Sequence, residues 1–166
     1  MGLLLENCKH EDSQIKISTL QCLIDFCKLN IFKLNEYSEI MLQIISPLMT
    51  ESNEDVVVLA IELWITIAEE EKNNFSLSKQ SNFSFMEKIF DKLLNLLLQN
   101  LTKVFNKISN KNWTYFISQS FEGEDENDDD DQNGIKEISF RAICSLVELL
   151  GDKCLEIIAT FVSSRP

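Results

Sequence analysis

The stretch that decides the fold is Asn53–Glu71, NEDVVVLAIELWITIAEEE. Val57, Ala60, Ile61, Trp64, Ile67 and Ala68 recur at three-and-four spacing, the period of one face of an α-helix. Ser52 and Asp55 have the spacing of a capping box, with Asp in place of the usual Glu or Gln. Glu54 and Asp55 suit the positive end of the helix dipole. The helix is predicted over about 53–71, ending in Glu69, Glu70 and Glu71, with the polar segment Asn73–Gln80 as a loop. Trp64 sits within the apolar stripe and is expected in the core. Three acids at a helix C-terminus oppose the dipole and so carry a small stability cost, which favours a functional reason for them.

The same period extends on both sides. A helix is predicted over about 13–29, with Ile17, Leu20, Leu23, Ile24 and Cys27 inward and Asp12 or Ser13 as its cap. A second spans about 35–49, where Pro47 should bend or end it. The segment about 82–104 carries Met86, Ile89, Phe90, Leu93, Leu94, Leu97 and Leu101, and Leu96 and Leu98 widen that stripe. Two more helices are predicted over about 134–150 and 152–164, with Gly151 placed to cap the first of them. Phe105–Phe121 mixes Asn and Ser with Trp113 and Tyr115 and is expected to be a loop, with room for a short helix. With four Gly and two Pro in 166 residues the chain is poor in β-turn material, and the expected class is all-α.

A small residue followed by a large apolar one recurs mid-helix at Thr19-Leu20, Ala60-Ile61 and Ser139-Phe140. The first two pairs lie 41 residues apart and the next 79, nearly twice that. A period near 41 belongs to two-helix HEAT-type repeats, in which each helix pair buries its face by stacking on the next. The excess is attributed to the Asn73–Gln80 loop and an insertion over about 105–133. The expected architecture is an α-solenoid, a superhelical stack of antiparallel helix pairs in one unit over 1–166. An unrelated closed helical bundle is the alternative.

Charge narrows the partner class. The net charge is −12, and Glu122–Asp131 holds eight acids and no base. That field repels nucleic acid and anionic lipid and attracts Lys/Arg-rich surfaces. Eight acids in ten residues repel one another, a repulsion that a basic partner would relieve by pairing with the carboxylates. Calcium is a weaker possibility. Asp129, Asp131, Asn133 and Gly134 fit positions 1, 3, 5 and 6 of an EF-hand loop, but position 12 is Phe140 rather than the required Glu. The five cysteines form no CxxC pair and lie mostly in apolar periodic segments, which suits buried reduced thiols in a reducing compartment. The only histidine is His10, expected on an exposed loop. No nucleophile-base set, glycine-rich phosphate loop or metal-ligand cluster is visible, so no catalysis and no cofactor are expected. No apolar run approaches the length of a membrane span.

Two segments carry a resemblance. Ile61-Glu62-Leu63-Trp64 followed by Glu69-Glu70-Glu71, and Leu98-Gln99-Asn100-Leu101-Thr102-Lys103 followed by the acid run Glu126-Asn127-Asp128-Asp129-Asp130-Asp131, resemble the middle of the importin-β (karyopherin-β) family of nuclear import receptors, which are built of HEAT repeats. The resemblance covers nearly the whole chain except Phe105–Phe121 and implies a fragment of a longer array. In that family the acidic loop and the concave-face acids bind the basic segment of importin-α and Ran-GTP. Carried over, the partner-binding residues are Asp128, Asp129, Asp130, Asp131 and Glu126, with Glu69, Glu70 and Glu71. The resemblance further implies residence in cytoplasm, nucleus and nuclear pore, and nucleoporin contact through a longer parent protein. Two features depart from the family: Gln132 stands where a Trp usually follows the acids, and the chain is longer ahead of them.

Overall fold

The computed structural model describes residues 1–78, 85–108 and 130–163. Among the described residues seven α-helices pack together: α1 (Gly2–Asn7), α2 (Ser13–Asn30), α3 (Ser38–Ile45), α4 (Glu54–Ser78), α5 (Met86–Ile108), α6 (Asp130–Leu150) and α7 (Asp152–Ser163). Among the described residues there is no strand, so the all-α expectation holds.

Local sequence accounts for most of the helix ends. Asp12 Oδ1 accepts the Gln14 N–H at 2.8 Å and caps α2. Asn53, rather than Ser52, caps α4: its Oδ1 accepts the Val56 N–H at 3.2 Å, one residue later than the capping-box spacing suggested. The segment predicted as one helix over 35–49 is broken. Its start lies in the 3₁₀ turn Ile31–Tyr37, α3 ends at Ile45, and a second 3₁₀ turn, Ser46–Thr50, carries Pro47 in its first turn, as expected of a residue without an N–H. Gly151 lies in the left-handed region (φ +57°) and donates its N–H to Val147 O at 2.8 Å, the predicted cap between α6 and α7.

Three helices are longer than the sequence suggested. The segment from Asn73 to Ser78 continues α4 instead of forming a loop. Tertiary anchors at Glu71 and Lys72, described below, outweigh a weak local propensity there. Helix α5 runs on to Ile108. Helix α6 begins at Asp130, four residues before Gly134. The remainder of Phe105–Phe121, with Trp113 and Tyr115, lies outside the described residues.

One core runs through the molecule. Helix α2 packs on α4 and α4 on α6, while α3 packs on α5 and α5 on α7; α1 lies on α2, and α5 and α7 both lie on α6. Leu20, Leu23, Ile24 and Cys27 of α2, Val57, Ile61, Trp64 and Ile65 of α4, and Leu93, Leu94 and Leu97 of α5 are buried. Trp64 is in the core as expected, its ring centroid 6.5 Å from that of Phe85. Asn100, buried on α5, donates to Met49 O at 2.9 Å and satisfies a carbonyl at the end of the 3₁₀ turn. The partly buried pair Lys16–Glu51, at 2.6 Å, joins α2 to the segment before α4. Of the repeated pairs, Thr19, Ala60 and Ser139 are all buried, as are Leu20 and Ile61, whereas Phe140 is 62% exposed.

Candidate protein-binding site

Glu69, Glu70 and Glu71 were expected to close their helix, but α4 runs on to Ser78. The helix continues past them, and successive residues on an α-helix turn by 100°, so the three carboxylates face three neighbours. Glu69 is exposed and pairs with Arg141 of α6 at 3.5 Å. Glu70 is half-buried, and its charge acts on the Cys27 thiol of α2. Glu71 accepts the backbone N–H groups of Phe85 at 2.8 Å and Met86 at 3.0 Å, and so caps α5 from a neighbouring helix. Burial pushes the Glu71 carboxyl above its ordinary value, and the nearby Glu87 adds to this; the two backbone bonds and Lys88 act the other way.

A cleft of about 430 Å³ lies between α4 and α6, lined in part by Glu69, Lys72, Arg141, Cys144 and Glu148. Lys72 and Glu148 pair across it at 2.6 Å. The Glu69–Arg141 and Lys72–Glu148 contacts ascend together, so α4 and α6 run in the same direction. Sequence reasoning missed this cleft because it looked for acids alone and passed over Lys72 and Arg141, whose charges offset those of Glu69 and Glu148. Seven-residue spacing from Glu69 would have found two more acids on its helical face, Glu62 (half-buried) and Asp55 (exposed).

Asp130 and Asp131, two of the expected loop acids, are the first two residues of α6. Glu126, Asp128 and Asp129 lie outside the described residues. Asp130 precedes Arg141 by eleven residues, which at 1.5 Å per residue is about 16 Å along the axis. The root of the acid run therefore lies near the level of the α4 N-terminus, with Asp55, and away from Glu69. An EF-hand loop is ruled out by the same helix: its positions from Asp131 to Phe140 are helical and cannot wrap a cation. Among the described residues no group of three or more His, Cys, Asp or Glu could hold a metal ion. His10 is exposed, and its Nδ1 accepts the Asp12 N–H at 3.0 Å.

Cys8, Cys27 and Cys154 are buried, as expected of most of the cysteines, but Cys22 is exposed and Cys144 half-buried. Burial pushes the Cys8 thiol up to about 11 and the Cys27 thiol up to about 12, with Glu70 contributing to the latter. Both are neutral thiols at pH 7. No described helix is long and apolar enough to cross a membrane.

Fold and site together define an all-helical protein with a mixed-charge face on α4 and α6 and an acidic segment leading into α6. No family model, no curated protein and no solved structure matches the chain. The likeness to importin-β rests on the sequence motifs alone.

Proposed function

We propose that this chain is a protein-binding segment of a nuclear transport receptor of the importin-β kind, a stack of HEAT-type helix pairs without catalytic activity. In this reading α2, α4 and α6 are the second helices of successive pairs and form one row, and α3, α5 and α7 form the other. The acid run and the α4/α6 face bind the basic segment of an importin-α-type adaptor, and Ran-GTP competes for overlapping acids to release it. The protein would work in the cytoplasm, in the nucleus and at the nuclear pore. Nucleic acid and membrane insertion play no part in it.

The observation that carries the reading is the position of the acid run. The run of eight acids ends in Asp130 and Asp131, which open α6, and α6 packs on the Ile61–Trp64 helix. The carboxylates of the run would offer a basic peptide several partners at once, through charge-assisted hydrogen bonds. A pull-down with an importin-α-type Lys/Arg-rich segment tests this. Retention that falls steeply with salt, and falls again when Asp128–Asp131 are changed to Asn, is expected. Absence of retention at low salt ends the reading.

A second reading is a HEAT-type scaffold of another class, of the phosphatase or assembly-factor kind, in which the acid run is incidental. It is favoured by the engagement of Glu71 and Glu69 within the fold and by Gln132 in the place of the family's Trp. Salt-insensitive binding to a non-basic partner would support it.

A further inference from the structure

The capping box that the sequence offers at the start of α4 does not form, and this leaves one hydroxyl unused. Asn53 caps the helix, its Oδ1 on the Val56 N–H. Ser52, the residue before it, is exposed, and its side chain has no hydrogen-bond partner among the described residues. Glu51, just ahead, has extended backbone (φ −67°, ψ 167°), so residues 51–53 form a short non-helical link between the 3₁₀ turn Ser46–Thr50 and α4. The other exposed Ser and Thr among the described residues are held differently. Ser18, Thr160 and Ser163 belong to helices, and Thr50 Oγ1 donates to Pro47 O at 3.1 Å.

Charge completes the pattern. Glu54 and Asp55 follow Ser52 at two and three residues. Lys16 engages Glu51 at 2.6 Å, whereas Glu54 and Asp55 have no basic partner among the described residues. Two other described hydroxyls also stand three residues before an acid: Thr66 before Glu69, and Ser145 before Glu148. Thr66 is 7% exposed inside α4, and Ser145 is half-buried inside α6. Their acids are already paired, Glu69 with Arg141 and Glu148 with Lys72. The spacing thus occurs three times in the described chain, but only at Ser52 are the hydroxyl, the backbone and the acids all free.

We infer that Ser52 is a phosphorylation site for an acid-directed protein kinase, one whose basic groove reads the carboxylates of Glu54 and Asp55. Kinases select substrates by such charge patterns. A kinase cleft takes its substrate as an extended segment, which the link at residues 51–53 offers without unwinding a helix. In the step, the Ser52 Oγ forms a bond to the γ-phosphorus of a nucleoside triphosphate. The bond from that phosphorus to the bridging oxygen breaks, the nucleoside diphosphate leaves, and the hydroxyl proton passes to a base of the kinase. The fold suits the product, because the phosphate lies just ahead of the positive end of α4, where negative charge is favoured.

The proposal does not depend on the transport reading, which peptide binding tests separately. The experiment incubates the folded 166-residue chain with an acid-directed serine/threonine kinase, ATP and Mg²⁺, and locates the phosphate by site-resolved mass spectrometry. Ser52 should take up phosphate, and Thr66 and Ser145 should not. Ser52→Ala, which removes a hydroxyl without a partner, should keep the helical circular dichroism and lose that phosphate. Glu54→Gln combined with Asp55→Asn should also stay helical, and should slow modification of Ser52 by about tenfold or more, as expected when a charge-assisted contact is lost. Phosphate absent from Ser52, uptake at Ser145 as fast as at Ser52, or a rate indifferent to Glu54 and Asp55 would overturn the proposal.

Discussion

The carboxylate of Glu71, seven residues before the end of α4, accepts the backbone N–H of Phe85 at 2.8 Å, at the start of α5. Its second oxygen takes the N–H of Met86. One side chain thus supplies two partners to a helix N-terminus, where the first N–H groups have none within the helix. Replacing Glu71 by Ala leaves both N–H groups without that acceptor. The expected cost is about 1–3 kcal/mol of stability in denaturant unfolding. An unchanged midpoint would show that the cap contributes nothing.

The same residue gives a pH signature. Burial raises the Glu71 carboxyl above its ordinary 4.5, so between that value and the raised one the folded chain binds more protons than the unfolded chain. Its contribution to stability is fully present below 4.5 and is lost as pH rises through the raised value. The stability advantage of the unaltered chain over Glu71→Gln should therefore narrow as pH rises above 4.5. Thermal melts of both proteins across that window measure it, and an advantage that widens would reverse the sign assigned to burial.

Asn100 predicts a contrast within one helix. It is 5% exposed and holds Met49 O at 2.9 Å, whereas Asn95 is exposed and bonds only to Asp91 O of its own helix. Asn100→Ala should destabilise by about 1–3 kcal/mol through the orphaned carbonyl and the lost packing, and Asn95→Ala by less than about 0.5 kcal/mol. Equal effects in urea titrations would remove the buried bond from the account.

Gly134 lies inside α6, exposed, with no atom within 4 Å of where a Cβ would sit. Gly134→Ala should stabilise the chain by roughly 0.5–1 kcal/mol, because a helical glycine loses more backbone entropy on folding. No gain would mean that α6 does not hold its helix at Gly134 in solution.

Thiol accessibility separates the cysteines. Cys22 should react first with a thiol reagent at pH 7–8, and Cys144 more slowly. Cys8, Cys27 and Cys154 should react only on unfolding, being buried and, for the first two, held protonated. Mass-resolved labelling reads this directly, and early labelling of Cys27 would contradict the burial.

The apolar period made the helices legible in the sequence, and Pro47, Asp12 and Gly151 marked breaks and caps where the structure has them. What escaped was set by contacts distant in sequence. Asn73–Ser78 is locally polar, and nothing nearby announces that Glu71 will be pinned to Phe85, fourteen residues on. Glu69, Glu70 and Glu71 are adjacent in sequence, but adjacency in sequence is not adjacency on a helix, and each meets a different neighbour. Phe140 carries the repeat's pattern, but only the packing order of α4, α6 and α7 shows that nothing within the described chain covers it.

The most direct test of the central claim is the binding of a fluorescent importin-α-type basic peptide, followed by anisotropy at two salt concentrations. The unaltered chain should bind at low salt and lose about tenfold or more in affinity when the salt is raised a few-fold, with a comparable loss on changing Asp128–Asp131 to Asn. Affinity indifferent to both changes, or no binding at low salt, would contradict the assignment of the acid run as the partner site.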